Sequence, residues 1–193
     1  MTDANKAIKR HRYVIPTLEE LRHDFNGAKY FSVLDQNCGY NQYQLAPGDS
    51  RNITAFRTHR GIKRFKRLHF GINAAAEIFQ QENEKTFADI ENVRVIYDDF
   101  IVYGKTKHEH NVALARLLKR AEDCGLTFGR KKVQLNQKKV KYFGVAFTEN
   151  GVHPDEEKVA DLKAARPPKN AKEALSYVCM AQALCQDFVP NFA

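Results

Sequence analysis

The chain has 193 residues, 43% hydrophobic and 28% charged, with 31 Lys and Arg against 23 Asp and Glu for a formal net charge of +8. This length suits one domain or one and a half. The absence of any run of 18 apolar residues argues against a transmembrane helix, and the polar start Met1-Thr2-Asp3-Ala4-Asn5-Lys6 argues against a secretory signal.

Residues 1–12 are polar and read as a loose lead-in. Thr17 and Glu20 form a capping box that starts a helix after Pro16. Lys29 to Asp35 is rich in strand formers, and Gln42 to Leu45 alternates as a second strand closed by Pro47-Gly48-Asp49. Thr54–Thr58 and Lys63–Arg67 flank His59-Arg60-Gly61 as a hairpin. Asn73 is placed to cap a helix running to Phe87. Val93–Tyr97 and Phe100–Tyr103 form a hairpin around Asp98 and Asp99. Thr106 and Glu109 make a second capping box, and the helix behind it carries Leu114, Leu117, Leu118 and Ala121 at core spacing before stopping at Gly125. Val140–Thr148 reads as one strand turned by Asn150-Gly151. Glu156–Ala165 is helical, Pro167-Pro168 breaks it, and Asn170 with Glu173 opens a last helix reaching Phe188. The pattern is mixed α+β.

The cysteines, Cys38, Cys124, Cys179 and Cys185, match no zinc or redox spacing, which predicts reduced thiols in an intracellular protein of the cytoplasm or nucleus, not secreted. The basic residues gather in two acid-free clusters. Arg51, Arg57, Arg60, Lys63, Arg64, Lys66 and Arg67 interleave with Phe56 and Phe65. Arg130, Lys131, Lys132, Lys138, Lys139 and Lys141 make the second. Such clusters suit a phosphate backbone, although any single one also serves as a solubilising surface.

Asp98 and Asp99 lie inside the apolar run Val95 to Tyr103. Burying a carboxylate costs several kcal/mol unless it is paired or bound to a metal. Two readings follow: a tight turn with both carboxylates in water, or a hairpin tip that presents them to divalent ions. Asp35, at the end of another apolar strand, is either a turn residue or a third carboxylate at the same sheet edge. Three such acids can hold two Mg²⁺ ions for in-line phosphoryl transfer.

The order of these pieces resembles the reverse transcriptase domain of gypsy-class LTR retrotransposon polyproteins. The resemblance runs through Asn5 to Arg10 and Ile15 to Leu21, Phe31-Ser32-Val33-Leu34-Asp35, Gly39-Tyr40-Asn41-Gln42, and Phe70-Gly71-Ile72-Asn73 to Gln80. It continues through Asp98-Asp99-Phe100-Ile101-Val102-Tyr103-Gly104, Tyr142-Phe143-Gly144-Val145 and Gly151-Val152-His153-Pro154-Asp155. It implies a palm-type antiparallel sheet backed by helices, with a partial fingers segment and a C-terminal helical extension. It implies RNA-directed DNA polymerisation with two Mg²⁺ or Mn²⁺ ions, Asp35 and Asp98 as principal ligands and Asp99 as the third acid. Tyr40 would lie beneath the incoming nucleotide sugar and discriminate against a 2′-hydroxyl. Phe70 and Gly71 would border nucleotide and template, Gln80 would belong to the substrate site, and Phe143 and Gly144 would hold the primer end. The basic clusters, including Lys131 and Lys132, would track template–primer phosphates, with deoxynucleoside triphosphates as the small-molecule partners and no membrane partner.

Departures accompany the match. Ile96 stands two positions before Asp98 where the family has Tyr, and Cys179 stands where relatives have Gly. The chain is expected to start after the fingers hairpin and to stop before RNase H. The expected division is 1–30 partial fingers, 31–150 palm and 151–193 a thumb- or connection-like segment. The alternative reading is an inactive retroelement remnant or a domesticated nucleic-acid-binding protein.

Overall fold

The computed structural model describes residues 2–10, 12–185 and 188, with the backbone alone for residues 183–185. Element order is α1 (Thr2–Ala7), α2 (Leu18–Asp24), β1 (Tyr30–Asp35), a 3₁₀ turn (Gly39–Gln42), α3 (Asp49–Asn52), β2 (Phe56–Thr58), β3 (Gly61–Lys63), α4 (Ala75–Phe87), β4 (Val93–Ile96), β5 (Asp99–Gly104), α5 (Lys107–Cys124), β6 (Gln134–Gln137), β7 (Lys139–Tyr142), β8 (Val145–Thr148), β9 (Gly151–Pro154), α6 (Glu156–Ala164) and α7 (Ala171–Cys185). β4, β5, β1 and β6 form an antiparallel sheet in that spatial order. β2–β3 is a separate hairpin, and β7–β8–β9 is a three-stranded meander.

Alternation along β1 and β5 explains why the main sheet is covered on both faces. Phe31 and Val33 of β1 join Ile101 and Tyr103 of β5, Leu21 and Phe25 of the α2 region, and Val140 and Phe147 of the meander. The alternate residues, Leu34, Phe100 and Val102, pack with Phe87 of α4 and with Ala113, Leu117 and Ala121 of α5. The central strands are therefore near-continuously apolar, and the charges fall at their ends. Ser32 is the polar residue on a buried β1 face; it is satisfied by His110 Nε2 at 2.8 Å and by the N–H of Asn136 at 2.9 Å.

Both capping boxes form, at Thr17/Glu20 and Thr106/Glu109. Gly125 ends α5 with φ 69°, in the left-handed region that favours glycine. Several expectations are corrected. The lead-in contains α1, and Asn5, Arg10 and Tyr13 are strapped along α4 and the turn before it: Asn5 Nδ2 donates to the Gly71 carbonyl at 2.8 Å, Arg10 pairs with Glu77, and the Tyr13 hydroxyl donates to Glu84. Asn73 does not cap α4; Ala74 holds that position, and the Asn73 side chain donates to the Asn5 carbonyl instead. Gln42–Leu45 is not a strand but leaves a 3₁₀ turn, with Gln44 making one bridge to Arg67. Leu118 is 44% exposed; the buried stripe of α5 is His110, Ala113, Leu117 and Ala121. The expected single strand Val140–Thr148 is a hairpin, because Phe143 (φ 49°) and Gly144 (φ 80°) adopt the paired positive φ of a tight two-residue turn. β6 was not anticipated; its four residues are exposed at the sheet edge and carry no alternating signal. The β8–β9 hairpin straddles residue 150. Asn170 does cap the last helix, its Oδ1 accepting from the Glu173 N–H at 2.9 Å; of the expected extension to Phe188, residues 186 and 187 lie outside the described residues. Among the described residues no helix is long and apolar enough to cross a membrane.

Candidate functional site

The register of β1 against β5 sets Asp35 directly opposite Asp99. Asp98 precedes β5 in the turn from β4, and its carbonyl accepts the Gln36 N–H at 2.7 Å. The three acids named from sequence therefore share one end of the central strand pair. They do not share a hairpin tip: the turn is Tyr97-Asp98, and Asp99 is already a strand residue paired with Ile96. Partial burial, then the charges of Asp98 and Asp35, push the Asp99 carboxyl up, while Lys132 opposes the shift.

The segment after α5 covers Asp35 from the other side. Gly129 donates its N–H to the Asp35 carbonyl at 2.8 Å, and Gln36 bridges to Phe128. A Cβ on Gly129 would lie 3.4 Å from Asp35 Oδ1, in van der Waals contact with the carboxylate. Lys132 then places its ammonium 2.8 Å from Asp35 Oδ2. The Asp35 carboxylate holds the Lys132 pKa up. Lys132 thus faces the acids rather than a phosphate track, a placement that its position inside a basic run concealed. Among the described residues no group of three or more His, Cys, Asp or Glu side chains is gathered tightly enough to hold a metal ion. The donor chemistry nonetheless fits a hard divalent cation: the acids are all-oxygen ligands, and the charges of Asp98 and Asp35 add to burial in raising the Asp99 carboxyl although Lys132 offsets part of them.

Beside Asp98 opens a cavity of about 380 Å³, lined by Gly39, Tyr40, Phe70, Phe79, Tyr97 and Asp98 among others. The Tyr40 ring lies 4.9 Å from both Phe70 and Phe79, edge-on to the latter. Burial is the main cause that raises the Tyr40 hydroxyl, with Tyr97 and Asp98 adding to it. Phe70 is 81% exposed and forms a rim of the cavity. Gly71 is outside the lining and accepts a hydrogen bond from Asn5.

Gln80 corrects the sequence reading. Its side chain is wholly buried beneath the Tyr97 turn, hydrogen bonded to the Tyr97 N–H and the Val95 carbonyl, and stands outside the lining of the cavity. Asn83, Gln36 and Tyr43 complete a buried polar group there that the sequence reading missed. Its signal was visible as two polar residues, Gln80 and Asn83, beside Phe79 on one face of a helix. Phe143 and Gly144 form the exposed tip of the β7–β8 hairpin.

The first basic cluster divides. Arg51 donates to the Leu45 carbonyl, Arg64 to Asn52, and Arg67 to the carbonyls of Asn41 and Gln42. Arg57, Arg60, Lys63 and Lys66 are exposed, and their side chains make no hydrogen bond or ion pair among the described residues; the same holds for Lys131. These cations are free to meet a solvent-borne anion.

Residues 1–147 match the family model described as reverse transcriptase (RNA-dependent DNA polymerase). The chain is 29% identical over 191 residues to the retrovirus-related Pol polyprotein from transposon 412 of Drosophila melanogaster, covering 98% of this chain and 15% of that protein. It is 26% identical over 189 residues to the transposon Tf2-3 polyprotein of Schizosaccharomyces pombe, covering 97% of this chain and 14% of that one. The chain thus spans about one-seventh of these relatives. Among solved structures, a foamy viral protease-reverse transcriptase in complex with dsDNA aligns with a TM-score of 0.84 at 23% identity, over 99% of this chain and 40% of that one. The foamy viral enzyme in complex with an RNA/DNA hybrid aligns with a TM-score of 0.78 at 21% identity, over 93% of this chain and 24% of that one.

Proposed function

Because the chain belongs to the reverse transcriptase (RNA-dependent DNA polymerase) family, we propose that it is the polymerase palm of a retroelement polyprotein and extends a primer along an RNA or DNA template. The observation that carries the reading is the register that sets Asp35 opposite Asp99, with Asp98 beside a cavity lined by Tyr40. Asp35 and Asp98, with Asp99, would hold two Mg²⁺ or Mn²⁺ ions. When bound, those ions stabilise charge on the attacking and leaving oxygens of the transferred phosphoryl group. The chain's own residues do the rest. Tyr40, braced by Phe70 and Phe79, would support the sugar of a deoxynucleoside triphosphate and exclude a 2′-hydroxyl. The Phe143-Gly144 tip would touch the primer end. Arg57, Arg60, Lys63, Lys66 and Lys131 would contact template–primer phosphates, a contact blind to sequence and weakened by salt.

Within the family we place the chain in the gypsy class of LTR elements, on the ordered motifs from Phe31 to Asp155. We assign residues 1–30 to partial fingers, 31–150 to palm and 151–193 to a thumb- or connection-like segment. The protein would work inside the cell, in cytoplasm or nucleus.

The test is primer extension on an RNA template with Mg²⁺ or Mn²⁺. Incorporation by the wild type and its loss in Asp98→Asn are the expected results. No incorporation by the wild type, or unchanged incorporation by the variant, returns the chain to the inactive-remnant reading.

A further inference from the structure

Tyr97 carries φ 54°. A bulky non-glycine residue reaches this left-handed region only when its surroundings impose it. Here the surroundings are two side chains of α4, three residues apart and therefore on one face. Gln80 Oε1 accepts the Tyr97 N–H at 2.5 Å, and Gln80 Nε2 donates to the Val95 carbonyl at 2.8 Å and to Glu84 at 2.6 Å. Asn83 Nδ2 donates to the Tyr97 carbonyl at 2.8 Å and to Gln36 Oε1 at 3.3 Å, while its Oδ1 accepts the Tyr43 hydroxyl at 2.5 Å. Both backbone polar groups of Tyr97 are thus held by one helix, and both helix side chains have no solvent exposure. The next residue is Asp98, and its own carbonyl is held by the Gln36 N–H at 2.7 Å.

We propose that Gln80 and Asn83 are positioning residues that clamp Tyr97 in its left-handed conformation and thereby aim the Asp98 carboxylate at the site it shares with Asp35. This rests on the reading of Asp98 as a metal ligand. The hydrogen bonds carry it: they hold the N–H and the carbonyl of Tyr97, and a change of φ at Tyr97 is passed along the chain to its neighbour Asp98. Glu84 extends the clamp outwards, since it also accepts from Tyr13 of the N-terminal segment.

The experiment compares Gln80→Met and Asn83→Leu, which keep volume and remove the hydrogen bonds, with wild type and Asp98→Asn. Mn²⁺ affinity is read by titration calorimetry, and the φ of Tyr97 by its amide three-bond coupling in the magnetic resonance spectrum. Circular dichroism melts select variants that remain folded; if one does not fold, the other carries the test. The expected loss of Mn²⁺ affinity is about tenfold, equivalent to about 1.4 kcal/mol, together with a coupling that leaves the left-handed range. In a Tyr97→Gly background, where left-handed φ carries no steric cost, the same substitutions should lose clearly less. Unchanged coupling and unchanged affinity in a folded variant overturn the clamp. If Asp98→Asn leaves Mn²⁺ binding unaltered, the metal reading fails, and the coupling alone still decides whether the clamp exists.

Discussion

Gly39→Ala probes the packing behind the candidate site most directly. A Cβ at residue 39 would meet Phe79 Cζ at 2.6 Å and Cε2 at 3.2 Å, and Asp98 Cβ at 3.4 Å. Non-bonded carbons rest about 3.5–4.0 Å apart, so the Phe79 ring must retreat by about 1 Å. The ring is 1% exposed and stands edge-on to Tyr40 and Tyr43, so its retreat must disturb that packing or intrude on the cavity it lines. Overpacking of this kind costs about 1–3 kcal/mol. The assay is urea unfolding followed by circular dichroism, since the chain has no Trp to report by fluorescence. Phe79→Leu removes the colliding ring atoms, so in that background Gly39→Ala should cost less than about 0.5 kcal/mol. An equal cost in both backgrounds would refute the contact as the cause.

Two further outcomes are expected. Asp99→Asn should stabilise the metal-free chain at neutral pH: a carboxyl whose folded pKa is raised above its unfolded value lowers stability as pH rises between the two values, and the advantage of the variant should disappear below the ordinary carboxylate range. Urea midpoints at pH 3 and pH 7 in a chelator check this, and a variant less stable at pH 7 would contradict it. Lys132→Gln removes the cation paired with Asp35, so Mn²⁺ binding should tighten, modestly because the ammonium is exposed to screening solvent; weaker binding in calorimetry would show that Lys132 supports the site instead of competing for it.

Much of the architecture could be read from local chemistry. The capping boxes at Thr17 and Thr106, the glycine stop at Gly125 and the hairpin around Asp98 are short-range signals, and each appears where its residues stand. The juxtaposition of Asp35 with Asp99 was legible only through the motif resemblance, because strand pairing across so long an interval leaves no periodic mark. Roles that depend on which way a side chain turns were not legible. Gln80 lies next to cavity-lining Phe79 in sequence yet points under the turn. Lys132 sits in a run of cations yet is taken by an acid 97 positions earlier. The hairpin tip at Phe143 was hidden because Phe is an uncommon occupant of a positive-φ turn position.

The spatial order of the main sheet has a consequence for biosynthesis. β1 lies between β5 and β6, so its two neighbours are residues 99–104 and 134–137. At a synthesis rate of about 5–20 residues per second, Tyr30 to Asp35 leave the ribosome seconds before either neighbour exists. During that interval Phe31, Val33 and Leu34 form an apolar strand with both edges open, a surface that a nascent chain must keep from other nascent chains. The two ends of the candidate site, Asp35 and Asp99, can meet only after that wait. A holding chaperone acting on the segment around β1 should therefore govern the yield of soluble protein more than any element translated later.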